Sequence, residues 1–380
     1  MYSKNIYEHC SDEKLSSIQN FNEDYKAFLS YGKTERLCVK QATKLAQEKG
    51  FILLDDIINQ HKEIKAGDKI YAINKNKNIV LFKIGTKPVV DGLRILGAHI
   101  DSPRLDVKQN PLYQKDDFAL LDTHYYGGIK KYQWVTIPLA LHGVVIKKDG
   151  TTIDVNIGEE KGDPIFGISD LLIHLSADQL QKPASKVIEG EDLDLTIGSM
   201  PLKGEEKEAV KKNVLKLLKD KYDIEEEDFL SSEIEVVPAG EARDYGLDRS
   251  MVAGYGHDDR VCAFTSLRAI LDEGDVEYTS CCILVDKEEI GSVGATGAQS
   301  KYFEDVIALL LDTMGYHSYL DLKKAMTNSK MLSSDVSAGF DPLFASVNDP
   351  KNAAYFNRGI VFNKYTGARG KSGSNDANPE

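Results

Sequence analysis

The sequence has 380 residues, 42% hydrophobic and 28% charged, with a formal net charge of −13. That balance is typical of a soluble globular protein with chain enough for two domains, and the negative charge argues against nucleic acid or an anionic membrane surface as the main partner. No apolar targeting segment opens the chain, no apolar run approaches a membrane span, and the five cysteines lack metal-type spacing, a pattern of reduced thiols expected in the cytoplasm.

Residues 13–49 read as helix in two pieces, broken at Tyr31-Gly32-Lys33. Thr34 is the expected N-cap of the second piece, Leu37, Gln41, Leu45 and Lys49 track its turns, and Gly50 stops it. Residues 69–73 and 79–84 flank a turn rich in lysine and asparagine, the pattern of a hairpin. Residues 93–98 form another apolar run, and "HIDSPR" follows at once. From residue 104 the texture changes to short alternating segments such as "QWVTIPLALHGVVI" and "TTIDVNIGEE", rich in β-branched and aromatic residues. A helix over 205–222 interrupts them, with Val210, Val214, Leu217 and Leu218 as its apolar stripe. The α/β pattern then resumes with a helix over 261–271, a strand over 279–285 and a second buried strand over 305–312. The expectation is one discontinuous α/β domain, residues 1–103 and 247–380, split by a β-rich insertion over 104–246.

Four stretches place a metal-competent residue where a core-type segment ends. They are His99 with Asp101; His257, Asp258 and Asp259 in "GHDDR"; Glu288 and Glu289 after the apolar "CCILV"; and Asp335 in "MLSSDVSAG". Ligands of open α/β sheets bind outside the carboxyl ends of strands, so residues far apart in sequence can converge there. A two-metal hydrolytic site needs such a set: imidazole and carboxylate ligands, a bridging carboxylate, and one further carboxylate to take a proton from the attacking water. Adjacent glutamates suit this division, since neighbouring side chains point different ways. Read by itself, the set fits a dinuclear peptidase, deacylase or phosphoesterase. Read by itself, too, His174 in "LLIHLS" is a satisfied histidine on a buried face.

Taken together, "GAHIDSPR", "THYYGGIKKYQW", "GYGHDDRVCAF", "DKEEIGSVGATG", "SSDVSAG" and "KYTGARGKSGSNDANPE" closely resemble the aspartyl aminopeptidase-like family of dinuclear zinc aminopeptidases, on its bacterial branch. The resemblance implies a phosphorylase/hydrolase-like three-layer α/β catalytic domain with an inserted β-rich dimerisation domain, and dimers assembling into a tetrahedral dodecamer. It implies two Zn2+ per subunit, with Co2+ or Mn2+ as substitutes, held by His99, Asp258 as the bridge, Glu289 and Asp335. Glu288 would be the general base and Asp101 the carboxylate that orients His99. His174 would correspond to the histidine that relatives send into a neighbouring subunit's site.

The implied reaction removes the N-terminal residue of a peptide. Lys364, Arg369 and Lys371 lie in the pocket-forming stretch and fit an acidic residue; other relatives accept neutral ones such as leucine. Members of the family carry a last metal-binding histidine well after "SNDANPE", whereas no histidine follows His317 here, so an incomplete sequence is expected. Two other readings are a catalytically impaired shell subunit and a dinuclear phosphoesterase.

Overall fold

A computed structural model describes residues 3–365, and the basic positions Arg369 and Lys371 and the "SNDANPE" motif lie outside the described residues. The chain opens with α1 (Asp12–Tyr31), α2 (Glu35–Glu48), β1 (Ile52–Leu53), α3 (Leu54–Asn59), β2 (Lys69–Asn74), β3 (Asn78–Lys83) and β4 (Arg94–His99). It continues through β5 (Arg104–Lys115), β6 (Phe118–Tyr126), β7 (Leu139–Ile146), β8 (Thr152–Ile157), β9 (Leu195–Gly198), α4 (Ala209–Tyr222) and β10 (Ser232–Pro238). After a small ribbon of β11 (Arg243–Tyr245) and β12 (Met251–Ala253) come α5 (His257–Asp272), β13 (Ser280–Val285), α6 (Tyr302–Thr313), α7 (Tyr319–Asn328) and β14 (Lys330–Ser333).

Local signals explain the first helices. The Ser11 hydroxyl accepts from Lys14 N and caps α1, and Thr34 accepts from Leu37 N and caps α2, as its sequence position predicts. Between the two helices a Cβ at Gly32 would stand 2.9 Å from both Cys38 Sγ and Phe28 O, so the tight connection requires glycine.

The strands form two six-stranded sheets. The first has the order β1-β2-β3-β13-β4-β14 and is mixed, with β13, β4 and β14 mutually parallel. Its two faces pack separately. Ile79, Leu81, Cys282 and Leu284 meet α1, α2 and α5, while Val80, Phe82, Cys281 and Ile283 meet α3, α6 and α7. That strict alternation is the period-2 signature of strands buried on both faces. The second sheet, β8-β7-β10-β5-β6-β9, is antiparallel throughout and has its own core, closed by Val210 and Val214 of α4.

One predicted element is corrected. Residues 305–312 are not a strand but the body of α6. Val306, Ile307, Leu310 and Leu311 are buried and Leu309 is 46% exposed, which is one face of a 3.6-residue period. The run is so uniformly apolar that the sequence hides that period. The helix predicted from residue 205 starts at Ala209.

Candidate metal centre

Val285 of β13 lies opposite His99 of β4, and Ser333 of β14 opposite Gly97. The carboxyl ends of the three parallel strands therefore open at one edge of the first sheet. His99 is the last residue of β4, Glu288 and Glu289 form a short turn just past β13, Asp335 stands two residues past β14, and Asp258 lies at the start of α5. His99 Nε2 lies 3.2 Å from Asp258 Oδ1, 3.8 Å from Glu288 Oε2 and 3.9 Å from Asp335 Oδ1. Donor atoms of His99, Glu288 and Glu289 form one group within 4.8 Å of one another, and those of His99, Asp258 and Asp335 form a second. Two donors held at about 2.1 Å around a tetrahedral ion stand about 3.4 Å apart, so each group is close enough to close on one ion.

Asp101 holds this arrangement from beneath. Fully buried, it lies with Oδ1 3.3 Å from His99 Nδ1, and its backbone carbonyl is 3.0 Å from the same nitrogen. Its carboxylate also accepts from the backbone N–H of Glu288 and of Glu289, each at 3.2 Å, and from the Tyr126 hydroxyl at 2.6 Å. One side chain thus sets the imidazole and both glutamates. Tyr126 ends β6 of the second sheet, and Gly127 follows it at φ 73° with its Cβ position 3.2 Å from Glu289 Cβ, so a larger residue there would be strained and would crowd Glu289. At the start of α5, Ser102 Oγ donates to Asp258 O at 2.7 Å, and the buried Arg260 donates to Ile100 O and Lys33 O. Arg260 is therefore a backbone anchor under the site.

Other expected residues lie elsewhere. His257 Nδ1 pairs with the Tyr25 hydroxyl at 2.7 Å instead of joining the cluster. His174 is exposed, with Leu171, Leu172, Ile173 and Leu175 exposed around it, so it is not on a buried face. The apolar letters of "LLIHLS" read as core but are surface. Lys364 is exposed, and the neighbouring Asn363 donates to Ser337, which brings that stretch alongside the Asp335 loop. Sequence reasoning missed Tyr126, which no local pattern marks. It also missed the burial of Asp259.

Residues 28–378 match the family described as Aminopeptidase I zinc metalloprotease (M18). The chain belongs to the M18 family. It is 57% identical over 378 residues to a probable M18 family aminopeptidase 1 of Clostridium acetobutylicum, covering 99% of this chain and 81% of that protein. The crystal structure of the M18 aminopeptidase from Thermotoga maritima superposes with a TM-score of 0.92 at 44% identity, covering 100% of this chain and 82% of the other. A more distant likeness, at 18% identity and a TM-score of 0.69 over 89% of this chain and 76% of the other, is to S. cerevisiae mApe1, solved as a dodecamer; it carries the fold alone. M18 proteins are zinc metalloproteases, and this chain is accordingly an aminopeptidase, an exopeptidase-type hydrolase. Among the described residues no helix is long and apolar enough to cross a membrane.

The residues present fit zinc. Among the described residues His99 Nε2 is buried and makes no hydrogen bond, although carboxylate oxygens surround it. Burial, then repulsion from Asp258, pushes Glu289 up to about 7, and burial and the neighbouring carboxylates also raise Glu288 and Asp335. Burial disfavours charge on His99, but Asp101 and Asp258 outweigh it and lift the imidazole to about 11. A divalent cation replaces those protons.

A pH dependence follows for the metal-free protein. Between pH 4.5, the ordinary value for glutamate, and about 7, folded Glu289 holds a proton that the unfolded chain has released. His99 does the same from 6.5 upward. More protons bound when folded means stability falls as pH rises. Thermal melts of chelator-treated protein are expected to give a lower Tm at pH 8 than at pH 5, and zinc is expected to stabilise more at pH 8. A metal-free Tm that rises across that range would contradict the reading.

Proposed function

We propose that this M18 chain removes the N-terminal residue of peptides with two zinc ions per subunit, for which Co2+ or Mn2+ can substitute. The observation that carries the reading is the unpartnered His99 Nε2 at the focus of Asp258, Glu288, Glu289 and Asp335. His99 and Asp335 would hold one ion, Glu289 the other, and Asp258 would bridge them. When bound, the ions polarise the scissile carbonyl and lower the pKa of the attacking water. Glu288 takes the proton of that water and returns it to the leaving amine.

The fold supports reading residues 1–103 and 247–380 as a phosphorylase/hydrolase-like three-layer catalytic domain and 104–246 as an inserted dimerisation domain, since the second sheet has a separate core. The exposed His174 and its apolar neighbours suit a contact with a second copy, in which His174 would reach the partner's site within a dodecamer of dimers. Lys364 lies beside the Asp335 loop and would favour an acidic N-terminal residue, with leucine the neutral alternative. The expected setting is the cytoplasm.

The test is release of the first residue from Asp-, Glu- and Leu-starting peptides with zinc, manganese or cobalt. Metal-dependent release that a chelator removes is the expected result, and the ranking of peptides identifies the pocket. No release, with about one metal per chain and the assembly intact, would make the subunit a silent shell component. Hydrolysis of phosphate esters would make it a phosphoesterase.

A further inference from the structure

A buried ionic joint lies where the second sheet meets the first. Lys77, in the turn between β2 and β3, is 7% exposed, and its ammonium stands 2.8 Å from Glu35 Oε1 of α2 and 3.0 Å from Glu233 Oε1 of β10. Asp286 Oδ2, at the exit of β13, is 3.8 Å away. Arg104, the first residue of β5, adds a second cation, 3.5 Å from Glu35 Oε2 and 3.4 Å from Glu235 Oε2. Glu35, Glu233 and Glu235 approach closely enough to ligate a metal, but the space among them already holds these two cations.

What gives the joint a role beyond cohesion is Asp286. It is fully buried and immediately precedes the loop that carries Glu288 and Glu289. Its Oδ1 accepts from Lys287 N at 2.8 Å and its Oδ2 from Thr296 Oγ1 at 2.6 Å, while its own N–H donates to Thr296 O. Asp286 therefore closes the loop 286–297 at its base. The same β2–β3 turn that supplies Lys77 grips the far side, where Asn78 Nδ2 donates to Thr296 O at 3.1 Å and Asn74 Nδ2 to Ala295 O at 2.8 Å. A second path reaches the loop from the same region: the Arg104 guanidinium lies 3.7 Å over the Tyr126 ring, whose hydroxyl holds Asp101.

We propose that Lys77 is a positioning residue for the reaction: its ammonium, set among Glu35, Glu233 and Asp286, is the cation that ties Asp286 to the other two and so holds the Glu288–Glu289 loop in register with the second sheet. Without that charge, the buried Glu35 and Asp286 lose the cation they share, while the partly exposed Glu233 keeps Arg36 at 2.7 Å and Glu35 keeps Arg104 at 3.5 Å. Of the three, only Asp286 is joined directly to the loop that bears Glu288 and Glu289, whereas Glu35 and Glu233 sit on a helix and a strand. The strain would thus appear in the loop that bears the reacting carboxylates. A displacement of about 1 Å there is enough to cost about a hundredfold in rate. The seating of the second sheet on the first becomes, through Lys77, a determinant of turnover. The inference rests on the proposed aminopeptidase reading for its catalytic consequence, though not for its structural one.

The test uses Lys77→Met, which keeps the aliphatic stem and removes the charge, with Lys77→Arg as the conservative rescue. In metal-free protein, Lys77→Met is expected to speed hydrogen exchange of the amides in 286–297 about tenfold, with those of α5 unchanged. In the zinc-loaded protein kcat is expected to fall about 10–100-fold with KM within about threefold, and Lys77→Arg to restore most of both. A lowered Tm with unchanged exchange in 286–297 and unchanged kcat would overturn the proposal and leave Lys77 a purely structural ion. If Lys77→Met fails to fold, Thr296→Val cuts the Asp286 tether and leaves the ion cluster intact; unaltered exchange of the loop in that variant also overturns it. Should the wild type release nothing from peptides, the aminopeptidase reading fails and the exchange experiment alone decides this one.

Discussion

Glu288→Gln is expected to fold, to retain zinc and to lose peptide turnover by at least about 10²–10⁴-fold, the usual contribution of a positioned general base. Glutamine keeps the volume and an acceptor oxygen but cannot take a proton from water. His99, Asp258, Glu289 and Asp335 stay in place, so zinc content measured by elemental analysis should match the wild type. The informative companion is Glu289→Gln, because both glutamates stand within ligating reach of His99. Distance alone leaves two assignments open: base and ligand, or the reverse. Loss of zinc from the Glu289 variant with retention in the Glu288 variant separates the roles. Substantial activity in Glu288→Gln would refute its role as base and turn attention to Glu289, whose carboxyl lies at about 7.

Asp101→Asn is expected to weaken zinc binding about 10–100-fold, as loss of a ligand-orienting carboxylate commonly does, and to destabilise the metal-free protein as well. The carboxylate meets four donors or potential donors: His99 Nδ1, Glu288 N, Glu289 N and the Tyr126 hydroxyl. An asparagine has one acceptor oxygen, and its NH2 must then face at least one N–H or O–H, leaving buried groups unsatisfied at about 1–3 kcal/mol each. Competition with a chelating dye measures the affinity, and denaturant unfolding of metal-free protein measures the stability. Tyr126→Phe removes only one of the four contacts and should show the smaller effect on both. Equal zinc affinity in Asp101→Asn and wild type would mean that the backbone carbonyl of Asp101, 3.0 Å from His99 Nδ1, orients the imidazole unaided.

Much of the site was legible as residue types at positions. Position at the ends of core-type segments marks His99, Asp258, Glu288, Glu289 and Asp335 among a wider set, the family resemblance narrows the set to ligands and base, and the structure gathers these five. "GHDDR" was only half legible. Its histidine has the right chemistry but bonds Tyr25, because the chain turns between His257 and Asp258 and sends the two side chains to different neighbours. The apolar "LLIHLS" misled for a related reason: hydrophobicity reports a tendency to be covered, and the cover need not come from the same chain.

The sequence by itself determined what depends on a few neighbouring residues. Caps at Ser11 and Thr34, the β2–β3 hairpin, and the period-2 strands of both sheets are local consequences of side-chain chemistry and spacing. Tertiary structure decided the rest. Only the parallel order of β13, β4 and β14 brings residues 99, 289 and 335 to one edge. Burial against the first sheet's far face made 305–312 a helix, although its uniform apolar letters permit a strand. Tyr126 met Asp101, and Lys77 met Glu233 and Asp286, across long stretches of chain. Such contacts arise from the packing of whole elements, where the need to pair every buried charge selects partners that no local periodicity encodes.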